Sequence, residues 1–483
     1  MSAPGADANA AWRSLVFPAN YRNPVPSGRY NLVVIGAGPA GLITSIAAAG
    51  LGARVALIER HAMGGDCLNV GCIPSKSLLA AAARGSSFEQ AMAHVYAVRA
   101  RIAEHDSVER YTAAGVDVYL GAAQFVDAHR IRVGEAELAT RKTVICTGAR
   151  AFVPPIPGLD ALEVRTNETI FDLQRLPPRL AVLGGGPIGC ELAQAFARLG
   201  SAVQLIEMQP RLLPLEDDAA ASAVAASLQR DGVGLRLGAR VSGAARAGDA
   251  RVLILESGER IEVDEVLVAV GRQRNLESLG LDAAGIRFDP RAGIIVDRNL
   301  RTSQRDVFAA GDVCSRLQFT HHADAQARIV IRNALFAGRA RADRLVVPWC
   351  TYTKPEVAHV GASRRELEQT GTAFRAFRVQ FAELDRGRTD ADDDGFAEVL
   401  TASGSDRILG ATIVGKDAGE QIAPIALMMT TGLGLGSLAT LLLPYPTRSE
   451  YLRRIADAWN RTRLTPRSAR LLGWWLRRAR GSR

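Results

Sequence analysis

Leu32-Val33-Val34-Ile35-Gly36-Ala37-Gly38-Pro39-Ala40-Gly41 joins an apolar run to a glycine-rich turn, and the chain writes this pattern twice. The second copy is Leu180-Ala181-Val182-Leu183-Gly184-Gly185-Gly186-Pro187-Ile188-Gly189. Gly36, Gly38, Gly41, Gly52 and Glu59 recur as Gly184, Gly186, Gly189, Gly200 and Glu207, each 148 positions later. An apolar strand delivers the chain into a tight turn, where glycines let backbone approach a pyrophosphate. The helix that follows offers unpaired N–H groups and partial positive charge to the phosphates. The acid ending the next strand can accept hydrogen bonds from an adenosine ribose. One such match is weak evidence. Two in register, each with strand, helix and acid in order, predict two dinucleotide sites.

Between the two copies lies Gly64-Gly65-Asp66-Cys67-Leu68-Asn69-Val70-Gly71-Cys72-Ile73-Pro74-Ser75-Lys76. A close pair of thiols beside a redox cofactor can take two electrons as a disulfide opens. In an undistorted helix, Cα atoms five residues apart are roughly 8–9 Å from one another. A disulfide needs them within about 4.4–6.8 Å. The backbone must therefore bend between Cys67 and Cys72, and Gly71 is the residue that permits it.

On these residues the chain resembles the flavin-dependent pyridine nucleotide–disulfide oxidoreductases, in the branch of dihydrolipoamide dehydrogenase and mercuric reductase. Cys146-Thr147-Gly148 and Val268-Ala269-Val270-Gly271-Arg272 resemble the two handovers between domains. Asp306 to Val313 resembles the segment whose acid, here Asp312, holds the flavin ribityl chain. The resemblance implies an α/β fold with two Rossmann-like dinucleotide-binding domains, for FAD and NAD, plus an α+β C-terminal dimerisation domain. It divides the chain into an N-terminal extension (1–27), an FAD-binding domain (28–152 and 272–345), an NAD(P)-binding domain (153–271), a dimerisation domain (346–460) and a basic, tryptophan-containing tail (461–483).

The resemblance also implies roles. Gly36, Gly38, Gly41, Glu59, Thr147, Gly148 and Asp312 would serve FAD, while Gly184, Gly186, Gly189, Glu207 and Gly271 would serve the nicotinamide nucleotide. Cys72 would be the thiol beside the flavin, forming a charge-transfer complex, and Cys67 the interchange thiol facing substrate. Lys76 would stand near flavin N5 with Glu191 as its partner, because a buried lysine needs a carboxylate to stay charged. His321 and His322 are further candidates for flavin contacts, with helix-capping or core roles as the alternative. Glu207 favours NADH over NADPH, since its charge opposes a 2′-phosphate and no basic residue follows before Arg211.

Three departures narrow the type. Where dihydrolipoamide dehydrogenase has a His-Pro ahead of a Glu, this chain has Tyr445-Pro446 ahead of Glu450. Tyrosine with a pKa near 10 is a poor base at neutral pH, whereas histidine near 6.5 suits the task. Mercuric reductase also has tyrosine there, but no cysteine follows Cys350 here to form its metal-delivering tail. Asp66, where the family usually has threonine, is expected to discourage ionisation of Cys67.

The expectation is an enzyme: a homodimeric FAD- and NAD(P)H-dependent oxidoreductase passing electrons through a Cys67–Cys72 disulfide to a small acceptor. A metal ion, a disulfide and an electrophile all remain open, as do a membrane-surface partner reducing a quinone or membrane protein, and a low-turnover redox sensor.

Composition fits this class. A hydrophobic content of 48% supplies full cores, and six irregularly spaced cysteines make neither a secreted disulfide framework nor a zinc pattern. No resident metal site is expected, and Cys146, Cys190, Cys314 and Cys350 read as small apolar fillers. Residues 421–447 carry no charge, but Gly432, Gly434, Gly436, Pro444 and Pro446 argue against a lipid-spanning helix. The first 27 residues lack a basic start and apolar run, so a cytoplasmic protein is expected. Residues 461–483 hold eight arginines and no acid, all but one of the net +9 charge. With Leu471, Leu472, Trp474, Trp475 and Leu476, this tail can touch an anionic membrane surface, placing the protein peripherally at the inner membrane face. Nucleic acid is not expected as a partner, because the charge does not continue over the body.

Overall fold

A computed structural model describes residues 6–336 and 338–480. The chain forms two compact units, Met1–Pro210 with Leu228–Leu345, and Arg211–Ser227 with Val346–Arg483.

The first unit contains two sheets of the same design. In one, parallel strands run in the spatial order Val116–Leu120, Val55–Glu59, Arg29–Ile35, Ala136–Ile145, and Val307–Ala309 pairs with the last. An antiparallel meander, Ala123–Asp127 and Arg130–Val133, joins its far side. In the other, the order is Gly234–Leu237, Ala202–Glu207, Arg179–Leu183, Glu265–Val268, all parallel. A separate antiparallel sheet, Val241–Ala247, Ala250–Leu255 and Arg260–Val263, accompanies it. The strands form because their Val, Ile and Leu residues are buried on both faces: Leu32, Val33 and Val34 are fully buried, as are Leu180, Ala181 and Val182. Each such Val, Leu or Ile contributes about 1.5–3 kcal/mol by leaving water.

In both sheets the chain builds outward to one side of its first strand, then crosses to the other. That reversal leaves a crevice at the carboxyl ends of the first and fourth strands, the place where open α/β sheets bind ligands. Both glycine-rich turns end at this point. The helices Pro39–Gly50 and Pro187–Arg198 start there, each with proline in its first turn.

The second unit is built on an antiparallel sheet ordered Pro348–Thr351, Glu356–Gly361, Ile408–Gly415, Phe396–Ala402, Phe374–Gln380. Its core joins Phe377, Phe381, Val399 and Ile413 to Tyr451 and Ile455 of the helix Glu450–Arg461. Residues 421–447 break into the helix Ala423–Thr431 and the 3-10 turn Leu435–Thr440. Among the described residues no helix is long and apolar enough to cross a membrane.

Candidate active site

The two glycine-rich turns are superposable in their chemistry. Gly36 (φ +102°) and Gly184 (φ +107°) occupy backbone that side chains rarely adopt, and a Cβ there would meet Cys146 O at 2.4 Å or Ala269 O at 2.5 Å. Cys146-Thr147-Gly148 and the stretch ending at Gly271 therefore lie directly across the crevice from the glycines. A Cβ on Gly41 or Gly189 would fall 1.8 or 1.9 Å from the carbonyl oxygen of Gly36 or Gly184. These glycines lock helix to turn. The middle glycines differ: a Cβ on Gly186 meets nothing within 4 Å, and one on Gly38 only Gly65 Cα at 3.9 Å. Each middle glycine thus borders open space at a helix N-terminus, the cradle that a pyrophosphate requires. The residues present fit two dinucleotides.

The acids are equivalent too. Glu59 accepts N–H bonds from Ala37 (2.7 Å) and His61 (2.8 Å), and Glu207 from Gly185 (2.6 Å) and Gln209 (2.7 Å). Burial raises the Glu59 pKa, opposed by these N–H donors. Thr147 is fixed by Asn275, whose backbone oxygen accepts from its hydroxyl at 2.8 Å.

The cysteines sit where two helices meet. Gly65–Asn69 ends at Val70, and Cys72–Ala83 starts after Gly71. A Cβ on Gly71 would be 2.8 Å from Asp66 O, so the bend closes over a glycine that no larger residue can replace without a shift. Both cysteines are thiols here, Cys67 half-buried and Cys72 exposed. They are hydrogen-bonded to one another and share a proton unequally. The bond from Cys67 lowers the Cys72 pKa to about 6, against burial and with help from the Lys76 charge and Thr320. The bond to Cys72 and burial raise Cys67. Thr320 Oγ1 lies 3.6 Å from Cys72 Sγ, in the first turn of the helix Thr320–Leu335. Lys76 Nζ is 2.7 Å from Glu191 Oε2, and the Glu191 side chain is only 3% exposed. The thiolate of the pair therefore belongs to Cys72.

A direct consequence concerns Lys76→Met. Without the cation, the charged form of Cys72 loses a stabilising partner, and its pKa in the reduced protein should rise by about 1–3 units. Titrating thiolate ultraviolet absorbance against pH measures this. An unchanged midpoint would show that Lys76 does not act on the pair.

Asp66 does not act on Cys67 as its charge alone suggests. It is ion-paired with the half-buried Arg272, whose Nε is also 3.7 Å from Asp312. Arg272 holds Asp66 and Asp312 together, and the rise of Cys67 comes from Cys72 and burial instead. Burial raises Asp312, opposed chiefly by Arg272. His322 is buried, its Nδ1 is 2.9 Å from Leu317 O, and its Nε2 is 3.2 Å from Gln326. His321 stacks on Phe319.

In the second unit, Tyr445 is exposed and donates its hydroxyl to Asp385 Oδ2 at 2.6 Å. That bond and the Asp385 charge raise its pKa. Glu450 accepts from Arg454 Nε at 2.8 Å through Oε1, while its buried Oε2 has no hydrogen-bond partner.

Two family models match this chain: pyridine nucleotide-disulphide oxidoreductase over residues 30–327, and the dimerisation domain of the same name over 347–456. The chain belongs to the pyridine nucleotide–disulphide oxidoreductase family. It is 32% identical to a mercuric reductase of Lysinibacillus sphaericus over 458 residues, 89% of this chain and 83% of that one. It is 33% identical to a dihydrolipoyl dehydrogenase of Thermus scotoductus over 456 residues, 89% of this chain and 97% of that one. The solved Cu(II) complex of the HOCl-induced flavoprotein disulfide reductase RclA from Escherichia coli superposes with a TM-score of 0.83 at 31% identity, covering 89% of this chain and all of that one. The chain is thus an FAD-containing oxidoreductase of the disulfide reductase type, with two dinucleotide-binding regions and a dimerisation domain.

Residues that sequence reading missed also shape this oxidoreductase's dithiol. Trp12, on the helix Ala6–Val16, donates to Asn69 Oδ1 at 2.8 Å. Buried Arg99 donates to Asn69 O at 2.9 Å, with its guanidinium 3.8 Å from the Trp12 ring centre. The N-terminal extension therefore packs on the short helix that carries Cys67. The amphipathic spacing of Trp12, Leu15 and Val16 was the available signal. Thr320 had none beyond its place ahead of His321.

Proposed function

We propose that this protein uses NADH to reduce a thiophilic acceptor, a soft metal ion or reactive electrophile, through the Cys67–Cys72 pair. The observation that carries the choice of acceptor is Tyr445. It takes the sequence position at which dihydrolipoamide dehydrogenase has its histidine base, its hydroxyl is committed to Asp385, and its pKa is raised. A metal or electrophile needs thiolate more than it needs a proton shuttle. The names of the relatives lend support, since one is a mercuric reductase and another was solved with Cu(II).

Bound FAD supplies the two-electron relay between NADH and the thiol pair. In this reading Gly36, Gly38, Gly41, Glu59, Thr147, Gly148 and Asp312 hold it, and Gly184, Gly186, Gly189, Glu207 and Gly271 hold the nicotinamide nucleotide. Glu191 keeps Lys76 charged beside Cys72. Cys72 retains the thiolate while Cys67 meets the acceptor. Each NADH gives two electrons and releases one proton, enough to reduce one two-electron acceptor or two Cu(II) ions to Cu(I).

An anaerobic acceptor panel tests this. Turnover should be appreciable with Hg(II) or Cu(II), and low with glutathione disulfide and NADH or with dihydrolipoamide and NAD⁺. Equal, background-level rates with every acceptor would favour the redox-sensor reading.

NADH is the proposed reductant. Glu207 ends its strand nine-tenths buried and can take both ribose hydroxyls, whereas a 2′-phosphate would meet its charge. Arg211, the next basic residue along the chain, is already bound to Asp218 (2.5 Å), Glu216 O and Pro214 O. Charged hydrogen bonds of this kind are worth about 1.5–3 kcal/mol, so kcat/KM for NADH should exceed that for NADPH by roughly 10–100-fold. Glu207→Ala should narrow the gap. A preference for NADPH would sink the assignment.

A further inference from the structure

The helix Pro466–Arg480 is unlike every other long helix of the chain, because none of its residues is buried. At about 100° per residue, Leu471, Leu472, Trp475, Leu476 and Ala479 share one arc of roughly 140°. The four large side chains among them are between 49% and 65% exposed. Arg467, Arg470, Arg477, Arg478 and Arg480 fill the opposite arc, which holds no acid. Trp474 lies among them, with the Arg478 guanidinium 5.5 Å from its ring centre. An isolated helix of this length is marginal in water, so its apolar face needs a cover.

We propose that this helix docks in the plane of an anionic lipid surface. The charge pattern selects that occupant. Arginines at both edges of the apolar arc can lay their stems along acyl chains and keep their guanidinium groups at headgroup level. Trp474 and Trp475 suit the boundary layer between water and hydrocarbon. A second copy of the helix would bring five more arginines against these five, so self-pairing is opposed by like charge. Negatively charged headgroups complement the pattern instead. The enzyme is then peripheral to a membrane through its C-terminal segment.

Co-sedimentation of the full-length, FAD-loaded protein with vesicles tests the proposal. Binding is expected to an equal mixture of phosphatidylcholine and phosphatidylglycerol, to weaken with added salt, and to be absent with phosphatidylcholine alone. Arg470→Gln with Arg477→Gln should weaken it by roughly 25-fold, about fivefold per arginine. Leu472→Glu with Trp475→Glu should remove it, with NADH oxidation unchanged as the check on folding. The proposal is overturned if mixed vesicles are not bound, if both lipid types are bound alike, or if both variants bind as the wild type does. A smaller sedimentation coefficient for the Leu472→Glu, Trp475→Glu protein without vesicles would also overturn it, by showing that another copy of the chain covers this face.

Discussion

Cys67→Ser should lower NADH-driven reduction of the acceptor by about 10³-fold or more, the scale seen when an acting nucleophile is removed. The reason is positional. The dithiol is the only pair of adjacent cysteines among the described residues in which one thiol bonds the other, and Cys72 alone cannot release two electrons as a disulfide. Serine is nearly the same size as cysteine, so folding and cofactor retention should survive. A dye that takes electrons ahead of the thiols should still be reduced by NADH at close to the wild-type rate. Cys72→Ser should cause the same loss of acceptor turnover, and it also removes the thiolate that Lys76 and Thr320 stabilise. Steady-state kinetics with both acceptors separates the two steps. Acceptor turnover within tenfold of wild type in either variant would mean that electrons leave by another route.

The second large effect runs in the opposite direction. Tyr445→His should raise disulfide turnover by about 10²–10⁴-fold at neutral pH, the usual value of a positioned general base. Tyrosine ionises near 10, so less than about one part in a thousand is anionic at pH 7. Beside the Asp385 carboxylate the phenol is harder still to ionise, because the new charge would face an existing one. Histidine is half-neutral near pH 6.5, so the gained activity should grow as pH rises through that value and then level off. Turnover with a metal ion should change little. Tyr445→Phe should be silent with every acceptor if the side chain only packs. Brisk dihydrolipoamide turnover by the wild type would point to another base. Glu450, whose buried Oε2 has no hydrogen-bond partner, is the first residue to examine in that case.

Local pattern carried much of this description. The repeat of Gly36, Gly38, Gly41 and Glu59 at a fixed spacing was enough to expect two sheets of one design, because those residues act within a single strand–turn–helix unit. The bend at Gly71 was legible for the same reason: the spacing of Cys67 and Cys72 demanded it. What the sequence could not show were pairings between distant segments. Arg272 reaches Asp66 across 206 positions, and Thr320 reaches Cys72 across 248. No periodicity or motif encodes such a contact. Asp66 taken alone reads as a charge beside a thiol, and only the fold reveals that Arg272 neutralises it. Trp12 and Arg99 likewise look like ordinary surface and helix residues until the chain brings them to Asn69. His322 could be read in sequence as a flavin contact or as a core residue, and only the fold shows its neighbours in space, Leu317, Ser315 and Gln326.

In the proposed reaction electrons from NADH pass through a disulfide between Cys67 and Cys72. Alkylation mapped by mass spectrometry tests it most directly. The oxidised protein, unfolded without reductant, should be labelled at Cys146, Cys190, Cys314 and Cys350 and not at Cys67 or Cys72. After one equivalent of NADH under anaerobic conditions and an acid quench, all six cysteines should be labelled. Labelling of Cys67 and Cys72 to the same extent with and without NADH would show that electrons do not pass through this disulfide.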